Sequence, residues 1–466
     1  MNLLLSILLV LALVGVLIYI IAENQHPTQT LAWVVVIVFL PVIGLILYFL
    51  VGHRPLRKNL LPPAERDALQ QLVRDAQAPH RTAAPAPFAK LDSLQRQLGQ
   101  VEPLGGNATR IYTKFEPMID DLVADMEQAC DHIHFQFFKF EDDAVGRRMA
   151  ELLIRKAREG VRVRVQYDDL ANIFRKKFYR ELKGAGIEVK PFLAVNFPFL
   201  SPDSNFRNHR KIVVVDGRVG YLGGMNIAER YGKGLAWGPW RDTHLRIEGP
   251  AVSELQVSFL ADWRFSTGEL LAESRYFPAC PAVGETPVQI VTTDPLGPWH
   301  AAMQGLIQLL GTAHEYVYLQ TPYFVPTSTM MLALKNAALS GLDVRVMMPE
   351  RGDGMLTNLA SKSYVKEALS AGVKIYFYQG GFLHAKTIVC DDRFASVGST
   401  NLDVRSFTLD FEIDAYCYDP AVAAQQKAIF LRDMEQSVEV NLPEWKSRSN
   451  WEKFKESFAR LFSPLL

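Results

Sequence analysis

Hydrophobic and polar positions along the chain fall into three regimes. From Leu3 to Ala22 every residue is apolar except Ser6 and Tyr19, and Leu31 to Val51 is a second uninterrupted apolar run. Each is about the 20 residues that a bilayer-crossing helix needs. A signal peptide would want a basic lead-in, a shorter apolar core and a small-residue cleavage site, and the first run has none of these. Residues 1–58 are therefore predicted to form a transmembrane hairpin with spans at about 3–22 and 31–51. Pro41 and Gly44 lie inside the second span, where a bilayer helix tolerates them better than a soluble one. His53, Arg54, Arg57 and Lys58 follow it, and by the positive-inside rule they predict that the chain beyond lies in the cytoplasm.

The second regime, residues 59–107, reads as a linker. "PPAERDALQQLVRDAQ" has one amphipathic helical pattern and "APHRTAAPAPF" is Ala/Pro-rich. In the third regime strand-like alternation and helical periodicity take turns, and they do so twice. "HIHFQFF", "DDAVGRRMAELLIRKAREG", "VRVRVQYDD" and "RKKFYRELKGAG" run in the same order as "EYVYLQTPYF", "TSTMMLALKNAALSG", "LDVRVMMPE" and "SKSYVKEALSAG". Gln136 matches Gln320, Gly160 matches Gly341 and Gly186 matches Gly372. This order predicts an α/β fold of two repeats, 108–275 and 276–466, each a mostly parallel sheet flanked by helices. At the end, "WEKFKESFARLFSPLL" puts Trp451, Phe454, Phe458, Leu461 and Leu465 on one stripe. A core-packing helix is the first reading of that stripe, and an amphipathic helix lying on a membrane is the alternative.

Composition changes the picture little. The 466 residues are too many for one typical domain. Fifty basic and fifty acidic residues give zero formal charge, which argues against broad electrostatic binding of nucleic acid. Four scattered cysteines, with no C-x-x-C pair, fit neither a zinc site nor a disulfide scaffold.

Candidate chemistry sits in "NHRKIVVVDGRVGYLGGMN" and "LHAKTIVCDDRFASVGSTN". Both read H-x-K, four residues, D, six residues, then G-x-x-N. His209 and Lys211 fall on one face of an extended segment, as do His384 and Lys386. Asp216-Gly217 supplies a turn, and the glycines that follow, with Gly224 in one copy and Ser399 in the other, let backbone approach a bound group. Asn226 and Asn401 offer side-chain amides. A lysine on the same face as each histidine repels a metal cation, so a metal site and a cofactor are not expected. Two lysines and two asparagines around one phosphate instead suit a transition state that gains negative charge. One histidine then attacks phosphorus and the other protonates the leaving oxygen. Asp242 in "WRDTHLRIEG" and Glu412 in "LDFEID" are candidates to hold the second ring nitrogens. Asp216 and Asp391, placed in turns, read physically as structural.

The duplicated motif resembles the signature of the phospholipase D superfamily. Its setting, with two amino-terminal spans, "RNHRKIVVVDG", "GGMNI", "WRDTH", "TPYFVP", "FLHAKT", "GSTNLDVRSF" and "RLFSPLL", is similar to the bacterial cardiolipin synthases over nearly the whole chain. The resemblance implies that His209, Lys211, Asp216, His384, Lys386 and Asp391 are active-site residues, the two aspartates included. It implies a metal-independent transfer through a phosphatidyl-histidine, in which two phosphatidylglycerol molecules give cardiolipin and glycerol at a bacterial inner membrane. By analogy His209 is the nucleophile and His384 the general acid and base, an order that the symmetry of the sequence allows to be reversed. A phospholipase D using water, or a synthase taking phosphatidylethanolamine as one substrate, are the alternatives. The apolar loop "NFPFLSPDSNF" before His209 is a further candidate to dip into the membrane.

Overall fold

The structure, a computed structural model, describes residues 3–22, 27–49, 60–99, 101–194 and 205–465. It divides into two units, Met1–Lys58 with Val195–Asn205, and Asn59–Ala194 with Phe206–Leu466.

In the first unit the backbone is helical over Leu3–Ala22, and the side chains of residues 3–6, 8 and 9 lie outside the described set. The second apolar run is split into the helices Pro27–Phe39 and Pro41–Leu47. Proline 41 has no N–H to continue the ladder, and Leu40 takes a non-helical backbone at the break. Ile20, Ile37 and Tyr48 pack together. Among the described residues no helix is long and apolar enough to cross a membrane. The basic cluster His53–Lys58 and most of the loop before His209, Phe197, Phe199 and Leu200 included, lie outside the described residues.

The second unit is built on one mixed sheet of 16 strands among the described residues. Each repeat contributes a parallel trio: His132–Phe137, Arg162–Asp168 and Glu188–Phe192 in the first, Tyr316–Gln320, Asp343–Pro349 and Lys374–Tyr378 in the second. Apart from the two-residue strand Arg207–Asn208, the rest of the main sheet is antiparallel, which corrects the expectation of mostly parallel sheets. The cause is the polar skeleton itself. Ile212–Val215 turns at Asp216-Gly217 and returns as Val219–Gly223, and Thr387–Cys390 returns likewise as Phe394–Gly398, so each skeleton is a hairpin. The repeats join edge to edge through Asp410–Cys417, Thr286–Thr293, Leu104–Tyr112 and His244–Glu248.

Residues 60–99 are folded onto this body rather than strung out as a linker. In the helix Pro63–Gln77, Glu65 pairs with Arg264 and Gln70 bonds Glu254, both on the helix Val252–Thr267. The helix Asn450–Arg460 overturns the core-packing reading of its stripe. Only Glu456 and Ala459 of that helix are buried, while Trp451, Phe454 and Phe458 are exposed. Polar contacts hold it instead: a Ser449–Glu452 capping box, the Arg448–Glu456 pair and the Arg460–Glu367 pair.

Candidate active site

Each histidine is carried by a two-residue strand that crosses to the other repeat. Arg207–Asn208 pairs in parallel with Asp410–Phe411, and the His209 N–H donates to Phe411 O at 3.0 Å. Phe382–Leu383 pairs in parallel with Trp240–Arg241, and the His384 N–H donates to Arg241 O at 2.6 Å. That register sets each histidine beside the acid that follows its partner strand. His209 Nδ1 lies 3.0 Å from Glu412 Oε1, and His384 Nδ1 lies 2.6 Å from Asp242 Oδ2. The pairing is therefore crossed, with each repeat's histidine held by the other repeat's carboxylate. A ring whose Nδ1–H is so held keeps its lone pair on Nε2, and Lys386 Nζ lies 3.2 Å from that atom of His384.

Both rings face one cavity of about 570 Å³. Asn226 and Asn401 line it, with Phe138, Tyr231, Trp240 and Tyr323 as an aromatic wall. Phe138 stands edge-on to His209 at 5.0 Å between centroids, and Trp240 lies 5.1 Å from His384. Asn226 is already engaged, accepting from the Lys139 N–H at 2.9 Å and donating to the Tyr231 hydroxyl at 2.6 Å. Asn401 Oδ1 has no partner in the structure.

Lys211 and Lys386 are buried beside the histidines and are not among the residues that line this cavity. Each donates to the carbonyl of its own histidine at 2.5 Å, and Lys386 Nζ also lies 2.8 Å from His384 Nδ1. Burial pulls their ammonium groups down, to about 7 for Lys211 and about 8 for Lys386. Burial, then the two lysines, holds His209 well below the usual histidine range, and burial with Lys386 takes His384 to about 4. Burial thus holds both rings neutral. Burial pushes Glu412 up to about 7. It also works against the charge of Asp242, but His384, Lys386 and the Thr243 N–H outweigh it and keep that carboxyl below its usual range.

Buried ion pairs fix the segments that carry these groups. Arg210, next to His209, pairs with Asp262 at 2.6 Å, and Asp262 also accepts from Gln136 and Asn208. Arg241, next to Asp242, pairs with Asp433 at 2.7 Å, and Asp433 accepts from Gln320. Sequence reasoning missed all four ion-pair residues. The matched glutamines Gln136 and Gln320, which bond Asp262 and Asp433, are the one sequence signal that points toward them.

Comparison with known proteins meets this geometry from another side. A family profile described as "Cardiolipin synthase, PLD-like domain" matches residues 122–263 and 306–434, and a "Phospholipase_D-nuclease N-terminal" profile matches 7–53. The major cardiolipin synthase ClsA of Bacillus subtilis is 36% identical over 478 residues, covering 100% of this chain and 99% of that protein. A cardiolipin synthase of Listeria innocua is also 36% identical, over 99% of each chain. The chain belongs to the cardiolipin synthase family. It is accordingly a phosphatidyltransferase, and its two repeats are phospholipase D-like. Phosphatidylserine synthase from Haemophilus influenzae shares the fold, with a TM-score of 0.63 at 15% identity over 81% of this chain and 100% of that one. Polyphosphate kinase from Porphyromonas gingivalis does so with a TM-score of 0.51 at 13% identity, over 72% and 49%.

In this cardiolipin synthase family member the remaining expected residues stand outside the cavity. Asp216 accepts from the N–H groups of Cys130, Asp131 and His132 at 2.7–2.9 Å, and Asp391 from those of His314, Glu315 and Tyr316 over the same range. Both have φ of +50°. They tie the hairpin turn to the start of the neighbouring strand, as the turn chemistry indicated. Ser399 donates to Glu412 Oε2 at 2.5 Å. At Gly224 the equivalent space is taken by the Asp242 carboxylate, which a Cβ there would overlap. These two positions serve the carboxylates rather than the cavity.

Proposed function

We propose that the chain joins two phosphatidylglycerol molecules into cardiolipin and glycerol without a metal, through a phosphatidyl-histidine. The crossed pairing carries this reading: two neutral, carboxylate-held histidines meet on one cavity that is walled by aromatic rings and flanked by asparagine amides.

His209 Nε2 attacks the phosphorus of the first lipid. The bond to glycerol breaks, and the departing oxygen takes a proton from His384 Nε2. His384 acquires that proton on substrate binding, because an anionic phosphodiester against the ring favours imidazolium over the neutral form. The terminal hydroxyl of the second lipid then gives its proton back to His384 and attacks phosphorus, and His209 leaves. An anionic phosphodiester favours the protonated form of the buried lysines beside the rings, and in that form they stabilise the added negative charge at both steps.

The two apolar runs at 3–22 and 31–51, matched by the amino-terminal profile over 7–53, support a membrane hairpin. With the basic residues after it, the catalytic unit lies on the cytoplasmic side of the inner membrane.

Incubation of the purified full chain with phosphatidylglycerol micelles in a chelator, followed by lipid analysis, tests the reading. Cardiolipin with equimolar glycerol is expected. Phosphatidic acid as the main product would make the protein a phospholipase, and a product formed only when phosphatidylethanolamine is added would change the acceptor.

A further inference from the structure

The helix Asn450–Arg460 carries a face that the transfer chemistry does not use. Trp451, Phe454, Phe458 and Leu461 are 66%, 58%, 53% and 73% exposed. The rings stack along the helix, with Trp451 to Phe454 at 5.6 Å and 14°, and Phe454 to Phe458 at 6.5 Å and 25°. Four large apolar side chains in one solvent-facing row are far from the scattered single residues normal on a surface. The helix does not need them for docking, since its inward face and ion pairs already hold it.

We infer that this row is a bilayer-docking surface that seats the cavity mouth on the membrane, an inference that rests on the lipid-transfer reading above. Three observations choose the bilayer. Projected at about 100° per residue, the row is bordered by Lys455 on one side and, past Ser457, by Lys453 on the other, while Glu452, Glu456 and the inward-paired Arg460 turn away. Cations on both borders of an apolar face can reach lipid phosphates while the rings enter the acyl boundary. Lys455 makes no ion pair among the described residues, which leaves it available to an anionic surface. Second, the chain runs from this helix into Ser463–Leu465, and Leu465 lines the catalytic cavity. Met355, between the cavity-lining Asp353 and Thr357, is also strongly exposed. The apolar row thus leads to the opening through which lipids must pass. Third, a second copy is a poor occupant, because a twofold contact between two such faces brings their lysine borders together.

Two measurements on the full-length protein test this. In vesicles containing phosphatidylglycerol with bromine on the acyl chains, Trp451 is expected to be quenched, and the Trp451→Phe variant to lose that quenched fraction. The double variant Phe454→Ser/Phe458→Ser is expected to transfer about tenfold or more slowly on vesicles. On dihexanoyl-phosphatidylglycerol below its micelle concentration it is expected to match the wild type. An unquenched Trp451, an equal loss on both substrates, or no loss on either overturns the inference. So does self-association that the double variant abolishes in place of quenching, which would assign the face to a second copy. A wild type inactive on both substrates defeats the lipid-transfer reading instead, and the quenching result still decides the docking.

Discussion

The two half-sites grew from one duplicated motif, and they have diverged where it matters for proton position. Around His209 the acceptor is a glutamate whose carboxyl titrates near 7 and is steadied by Ser399. Around His384 it is an aspartate held ionised, with a glycine making room for it and a lysine against the ring. The longer acid with a helping hydroxyl and the shorter acid with a bare backbone occupy equivalent space. Duplicated residues therefore need not do duplicated work. An ionised, close acceptor suits the ring that must carry a proton, and a carboxylate that itself titrates near 7 orients the other ring without drawing a second proton onto it.

The sharpest way to break this contrast is to remove each ring in turn. His209→Ala and His384→Ala are both expected to lower turnover by about 10⁴-fold or more. His384→Ala should still accumulate an acid-labile phosphatidyl label on His209, read by mass spectrometry, and His209→Ala should accumulate none. A label on His384 in the His209 variant reverses the assignment.

Next come the acids. Asp242→Asn loses the ionised partner and is expected to cost about 10²–10⁴-fold in kcat, as when a buried aspartate loses its hold on a catalytic histidine. Glu412→Gln should cost less, about tenfold, because the wild-type carboxyl is near neutrality already. The two also differ in pH. Above about 7 the Glu412 carboxylate accepts the Nδ1–H of His209 and leaves Nε2 free to attack. Below it the carboxyl O–H donates to Nδ1, and the ring proton moves to Nε2. Transfer should therefore fall as pH drops through about 7, and Glu412→Gln, which accepts but does not titrate, should flatten that limb. A limb that survives in Glu412→Gln points to another group.

Smaller effects lie behind the acids. Ser399→Ala removes one charge-assisted bond, about 1–2 kcal/mol, and is expected to slow transfer roughly fivefold to thirtyfold. Gly224→Ala forces Asp242 aside and should exceed it, so the reverse order would count against the packing account. Asp216→Asn and Asp391→Asn should weaken the fold by about 1–3 kcal/mol in denaturant titration and leave kcat within about twofold. A large kcat loss in folded protein would return the aspartates to the chemistry.

Much of this was legible in the sequence. The spacing of the two skeletons pointed to both histidines, both asparagines and the hairpin turns, and the two acids that follow them were candidates that the fold brings within hydrogen-bond reach of the rings. What could not be read was which acid meets which histidine, because the exchange depends on two short strands, Arg207–Asn208 and Phe382–Leu383, pairing across repeats. For Asp216 and Asp391 the resemblance and the turn chemistry pointed in different directions, and their bonds follow the turn chemistry. The antiparallel majority of the sheet was hidden because alternation gives strands but not directions. The stripe from Trp451 to Leu461 misled for a related reason, since helical periodicity marks an apolar face without saying whether protein or something else covers it.

The crossed pairing has a consequence for how the enzyme comes into being. A nascent chain that has folded its first repeat carries His209 without Glu412, which follows about 200 residues later. Its second histidine is equally dependent on an acid made long before. On the proposed mechanism the chemistry is in effect an AND gate, open once both halves have closed on each other, so that a half-made chain lacks one of its two inputs.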